Sequence, residues 1–258
     1  MSQNHAGSKG SGWLHLGALS ATLLLFGAGC AVFGKNSRGT VLTQHLSAPI
    51  DGVTSAKYNI NAGTGNLTID PLTGSQAELV SGELEYVDSQ GLPGQAINSQ
   101  NGQAVVMLKA NGTGKGGFHW PWDACNGETN WRVHLNAGLP SDLVAHSDGG
   151  NISLNLAGTA IMQVAADTGG GNVDVVLPAQ AGRINVSVKS GAGNVVVHVP
   201  AGTEARIHAT TGMGKVLIDQ AFSQADKTTY QSPGYDNATD KVDITLSSGA
   251  GNVSVTTN

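Results

Sequence analysis

Four aromatic side chains fall within one short stretch, Gly112 to Trp131 (GTGKGGFHWPWDACNGETNW), which holds Phe118, Trp120, Trp122 and Trp131. Tryptophan faces stack on sugar rings or sit at a lipid interface, and the glycines beside Pro121 would present them. The segment is therefore the candidate contact surface for an envelope glycan or protein partner. The same side chains would equally cap the end or flank of a repeat stack, since terminal repeats need covering and Trp131 opens an alternating run with Val133 and Leu135. His198 and Asp219 hold equivalent places in consecutive repeats and face solvent, where such a pair can move a proton. No nucleophile is positioned with them, and an exposed ladder pair is the ordinary outcome. Asp174 approaches the spacing of a calcium-binding nonapeptide, but Asn172 stands where that pattern needs glycine and no second copy carries the aspartate. Gly112-Thr113-Gly114-Lys115 lacks the upstream glycine and the Ser or Thr of a phosphate loop. The eight histidines show no close ligand spacing and Cys125 has no sequence partner, so neither metal nor cofactor is expected.

Composition narrows the classes further. Charged residues make up 12% of the 258, net charge is -5, and the thirteen Lys and Arg are scattered singly. That leaves no basic stripe for a phosphate backbone, and nucleic acid is not an expected partner. With only two cysteines, Cys30 in an apolar segment and Cys125 far beyond it, a disulfide framework is excluded. Val, Ile and Thr abound while helical runs are missing after residue 35, which predicts a nearly all-β fold.

The elements that would position any site come from a repeat. Gly or Asp, any residue, Gly, Asn or Lys, then an aliphatic residue recurs at Gly63–Gly65, Asp148–Gly150, Gly169–Gly171, Gly191–Gly193, Gly212–Gly214 and Gly249–Gly251. In four copies the fourth position falls at 151, 172, 194 and 215, steps of 21, 22 and 21. Periods of this size mark solenoids. Downstream of the glycines, Ile152, Leu154 and Leu156, then Val173, Val175 and Leu177, then Val195, Val197 and Val199 alternate with polar residues. Upstream, the same phase selects Met162, Val164 and Ala166, then Ile184, Val186 and Val188, then Ala205, Ile207 and Ala209, then Val242, Ile244 and Leu246; the isolated first copy has Ala56, Tyr58 and Ile60. One unit thus reads as strand, glycine turn, strand, second turn, a rung of a two-sided β-solenoid with equivalent strands about 4.8 Å apart. The turn glycines answer a need for positive φ or close backbone approach. The Asn side chains are expected to satisfy one another down a column that Lys215 interrupts. The last repeat carries a 16-residue insertion between Gln220 and Lys241 that suits either a functional loop or packing over the C-terminal edge strand.

Residues Trp13 to Phe33 are apolar and long enough to cross a bilayer of about 30 Å. They also read as a signal segment ending Gly27-Ala28-Gly29-Cys30, which resembles a bacterial lipobox with glycine where leucine is usual. Lipidation at Cys30 and an uncleaved membrane anchor both stay open. The expected organisation is 1–33 signal or anchor, 34–49 linker, 50–137 an irregular β part with the aromatic loop 112–131, and 138–258 regular repeats with the 220–241 insertion.

The units TGGGNVDVVLP, SGAGNVVVHVP and TGMGKVLID resemble the glycine-rich repeats of bacterial putative-adhesin domains. YNINAGTGNLTIDPLTGSQAELVSGELEYVD is similar to the N-terminal part of the toast-rack domain of cell-envelope stress-response proteins. The resemblance implies a right-handed β-solenoid on an exported or membrane-attached protein, of a group usually without an assigned enzymatic activity. The expectation is a non-enzymatic structural or interaction module outside the cytoplasm. The alternatives are a carbohydrate-active enzyme on a β-helical scaffold and a regulatory partner of a membrane sensor. The enzyme reading would require charged residues stacked on one outer face, whereas that face mixes Ser, Asn, Val and single charges.

Overall fold

Two-residue alternation dictates strands that bury one face, and the computed structural model shows nineteen strands among its described residues. It describes residues 39–73, 77–111, 129–179 and 182–258. The chain begins with β1 (Val41–Pro49), β2 (Ser55–Asn61), β3 (Asn66–Pro71) and the long β4 (Glu78–Val87). Next come β5 (Gly94–Gln100), β6 (Gln103–Lys109) and β7 (Asn130–Leu135). The regular repeats supply β8 (Ser141–Ser147) and β9 (Ile152–Asn155), β10 (Ile161–Thr168) and β11 (Val173–Val176), and β12 (Arg183–Ser190) and β13 (Val195–Val199). They continue with β14 (Glu204–Met213) and β15 (Val216–Ile218); the insertion forms the short β16 (Ser223–Gln224) and β17 (Thr229–Gln231), and β18 (Lys241–Ala250) and β19 (Val253–Thr257) close the chain.

The strands form two sheets, one ordered β1-β4-β7-β3-β9-β11-β13-β19-β15 and the other β16-β17-β14-β18-β12-β10-β8-β2-β6-β5. Seven rungs give one strand to each sheet and pair in parallel: β6–β7, β2–β3, β8–β9, β10–β11, β12–β13, β18–β19 and β14–β15. Antiparallel strands cover the ends, with β5 on β6, β4 and then β1 on β7, and β17 on β14. A continuous core from Leu46 to Val255 lies between the sheets. Four of its repeat positions, Val175, Val197, Val188 and Ile244, are at most 2% exposed.

Rung order departs from chain order at both ends. The first rung, β2–β3, lies second in the stack, and the last, β18–β19, slips between β12–β13 and β14–β15. Lys215 therefore ends the asparagine column rather than interrupting it. A second correction concerns Met162, which is 45% exposed while Ile161 is buried, because the β8–β10 register shifts between Ile161 and Gln163. A bulge there moves the inward position by one residue.

The turn glycines divide by cause. Gly150, Gly171, Gly193, Gly251 and Gly214 stack so closely that a Cβ on Gly171 would lie 2.1 Å from the Gly150 carbonyl oxygen. At the opposite turn Gly158 has open space and φ +74°, so conformation selects glycine there.

Candidate functional site

The glycine corner is built from two polar columns. On its surface each asparagine Oδ1 accepts the backbone N–H of the next rung: Asn151 donates to Asn66, Asn172 to Asn151, Asn194 to Asn172 and Asn252 to Asn194, each at 2.9 Å, and Lys215 to Asn252 at 3.0 Å. At the other end Asn66 Nδ2 donates to Asn130 Oδ1, and the Asn130 N–H and Nδ2 donate to Glu85 Oε2. That carboxylate thus closes the column. Behind it runs a hydroxyl column, buried except at Thr211. Ser147, Thr168, Ser190, Ser248 and Thr211 donate to the carbonyls of Gly65, Gly150, Gly171, Gly193 and Gly251 at 2.7–2.9 Å. The sequence carries this signal, a Ser or Thr four residues before five of the six motif Asn or Lys positions, with Ala62 in that place before Asn66, but the repeat reading passed over it.

Beside that corner, on the outer face of the ten-stranded sheet, His146 is held between two carboxylates. Its Nδ1 lies 2.6 Å from Asp167 Oδ2 on the next rung and its Nε2 lies 3.0 Å from Asp148 Oδ1 in its own turn. Burial works to lower the imidazole pKa, yet the hydrogen bonds and charge of Asp148 and Asp167 outweigh it and hold the pKa above the ordinary value. Next to Asp167 opens a shallow depression of about 610 Å³ lined by Ser187, Lys189, Ser190, Gly191 and Ser247. Small side chains make its floor; Asp167 and Lys189, direct cross-strand partners, stand on it. The arrangement offers opposite charges and hydroxyls to a hydroxyl-rich ligand.

His198 and Asp219 do not meet, because β19 lies between their strands. His198 Nε2 instead lies 3.4 Å from Asp174 Oδ2 and its Nδ1 2.9 Å from Thr256 Oγ1. Asp219 accepts from the Ala221 N–H and the Thr257 hydroxyl, which with the Thr257 N–H keep its carboxyl below the usual range. Hydroxyl, imidazole and carboxylate thus share one strip, but the backbone N–H groups of β13 and β19 are committed to the parallel ladder, so none is left to stabilise an oxyanion. Among the described residues no group of three or more His, Cys, Asp or Glu is arranged to hold a metal.

Trp131 lies in β7 at 1% exposure, its indole N–H donating to the Glu85 carbonyl at 2.9 Å, so of the four aromatic candidates it is a core residue. Phe118, Trp120 and Trp122 lie outside the described residues, as do Cys30 and the apolar N-terminal segment. Their flanks are placed: the chain leaves β6 and enters β7 at the glycine corner, where Ala110 and Thr129 approach Gly63 and Gly65. The insertion packs against β14, with β17 as its antiparallel partner. Tyr235 is buried between the Arg206 guanidinium, 4.2 Å from the ring centroid, and Lys241 at 4.8 Å, and its hydroxyl donates to Asp243. No helix among the described residues is long and apolar enough to cross a membrane.

Two family models match the chain. Residues 159–255 match the family described as cell wall-active antibiotics response LiaF, C-terminal. A crystal structure of a "putative cell adhesion protein" from Clostridium sporogenes aligns over 84% of this chain and 100% of its own at 18% identity, TM-score 0.75. A "putative adhesin" from Bacteroides fragilis aligns over 84% and 97% at 10% identity, TM-score 0.32. No curated protein matches. Residues 36–198 match the family described as the N-terminal domain of toast_rack, DUF2154, and because that is well over half of the 258 residues, the chain belongs to the toast-rack family.

Proposed function

We propose that the chain is a non-enzymatic interaction module of the cell envelope, its β stack held outside the cytoplasm by the N-terminal segment. One observation carries this reading. The two family matches together run the length of the stack, and the second is to a family named for the response to cell wall-active antibiotics. The chemistry of the surface supports it: polar side chains on both outer faces pair from rung to rung at His146 with Asp167 and at His198 with Asp174. Contact with a glycan or protein partner falls to the aromatic residues Trp120 and Trp122, and the same module would serve a regulatory partner of a membrane sensor.

The test is the intact mass and membrane side of the native protein. A mass beginning at acylated Cys30, or an uncleaved chain with residues 39–258 open to external protease, is expected. A stack protected inside intact cells would refute the reading. Alanine at Trp120 and Trp122 together should abolish binding to isolated envelope; retained binding with lowered thermal stability would assign those side chains to capping instead.

A further inference from the structure

The two sheets do not end alike at the β14–β15 rung. On the ten-stranded side β17 pairs with β14, and Ala205, Ile207 and Ala209 are at most 1% exposed. On the nine-stranded side β15 is the edge strand, with β19 as its one neighbour among the described residues. The inward positions of β19, Val253 and Val255, are sealed, whereas Val216 and Ile218 stay half-buried and Leu217, facing outward, is 52% exposed. The backbone pattern is equally one-sided. Val253 donates to the Lys215 carbonyl and Asp219 to the Val255 carbonyl, so the odd-numbered residues face β19. Alternation then turns the N–H and C=O groups of Val216 and Ile218 toward the open edge.

We infer that this edge is an interface between two copies of the chain, β15 pairing antiparallel with its counterpart about a twofold axis through Leu217. The strand reads Lys215-Val216-Leu217-Ile218-Asp219, charge, three apolar residues, opposite charge. Antiparallel pairing centred on Leu217 places Val216 opposite Ile218, where each pair exchanges two backbone hydrogen bonds. It also sets Lys215 of each copy opposite Asp219 of the other. No carboxylate lies within ion-pairing distance of Lys215 among the described residues, and Asp219 is held in its charged form by the Ala221 and Thr257 contacts. A parallel or shifted pairing would align like charges or leave both unopposed. The half-buried Val216 and Ile218 would gain cover from their counterparts, and Leu217 would meet Leu217 at a close, non-hydrogen-bonded position. Other edge strands lack this self-complementarity: β1 carries no Lys, Arg, Asp or Glu, β5 ends in Asn98, Ser99 and Gln100, and β16 is two residues long. A short edge bearing one lysine also suits protection against pairing, and that alternative is what the experiment decides.

Leu217→Cys in the full chain in its native membrane should form a self-disulfide, identified by mass mapping of the linked peptide so that Cys30 and Cys125 do not confuse the readout. Lys215→Cys should not, since residues 215 of the two copies would lie about 13 Å apart and a disulfide tolerates about 7 Å between Cα atoms. The expected ratio is roughly tenfold or more in favour of position 217. Mixing Lys215→Cys with Asp219→Cys should give the mixed disulfide. Adding Lys215→Glu to Leu217→Cys should cut the yield several-fold, and Lys215→Arg should restore it. Equal linking at 215 and 217, or none at 217, overturns the proposal; a strand from a different protein on this edge would give the second result.

Discussion

The Oδ1 of Asn252 accepts a hydrogen bond from the backbone N–H of Lys215 at 3.0 Å although the two residues are 37 apart in sequence. That bond places the last glycine turn of the chain inside the column and the preceding one at its end. A lysine offers no Oδ1 to a further rung, so Lys215 suits the terminal position and would break an internal one. The crossing back of β18–β19 leaves the lysine at the end of the column, with the insertion supplying the chain length.

Neighbouring glycines of one turn should respond differently to alanine. A Cβ on Gly171 would meet the Gly150 carbonyl at 2.1 Å, whereas one on Gly170 finds nothing nearer than 3.8 Å. Gly171→Ala should cost about 2–3 kcal/mol in denaturant unfolding, as overpacking against rigid backbone does, and Gly170→Ala should stay within about 0.5 kcal/mol of the parent.

The hydroxyl column should tolerate no apolar replacement. Thr168 Oγ1 donates to the Gly150 carbonyl at 2.8 Å and accepts from the Gly171 N–H at 3.2 Å, both buried. Thr168→Val leaves two backbone groups without a partner and should destabilise by about 1–3 kcal/mol, read as a lowered urea midpoint with an unchanged slope.

His146 should make stability pH-dependent with a definite sign. Its folded-state pKa is raised above the ordinary histidine value, so the folded chain binds the proton more tightly than the unfolded one. Its contribution is fully present below the unfolded pKa of about 6.5 and is lost as pH rises through the folded value. The stability difference between the parent and His146→Gln should shrink as pH is raised from about 6 to about 8.5. A difference that grows over that range would show that Asp148 and Asp167 do not hold the imidazolium.

Tyr235 should anchor the insertion. Its ring is 2% exposed and lies between Arg206 and Lys241. Tyr235→Ala should cost about 3–5 kcal/mol and open residues 220–240 to protease, while Tyr235→Phe, losing the hydroxyl bond to Asp243, should cost about 1–2 kcal/mol.

What the sequence made legible is the shape of one rung. Val173, Val175, Val195 and Val197 had to face inward once the two-residue period was seen, and Trp131 took its strand position for the same reason. The address of each rung was another matter. All rungs share one register, so any could neighbour any other, and only column ends such as Lys215 and Glu85 distinguish the places. Glu85 is separated from Asn130 by 45 residues, and nothing local marks it as a cap. Met162 was misplaced because a bulge shifts phase without leaving a trace in composition. The Asn and hydroxyl columns are periodic and readable, whereas the His146 cluster joins adjacent rungs and needed their order to be known.

The stacking order can be tested by paired cysteines on the outer face of the ten-stranded sheet. Thr245 is the direct partner of both His208 and Ser187, one on each side. With β18 between β12 and β14, His208→Cys and Thr245→Cys should close a disulfide within one chain. His208→Cys and Ser187→Cys, two strand spacings or about 9.6 Å apart, should not. If the second pair closes and the first does not, the repeats stack in simple chain order and the intercalated arrangement is wrong.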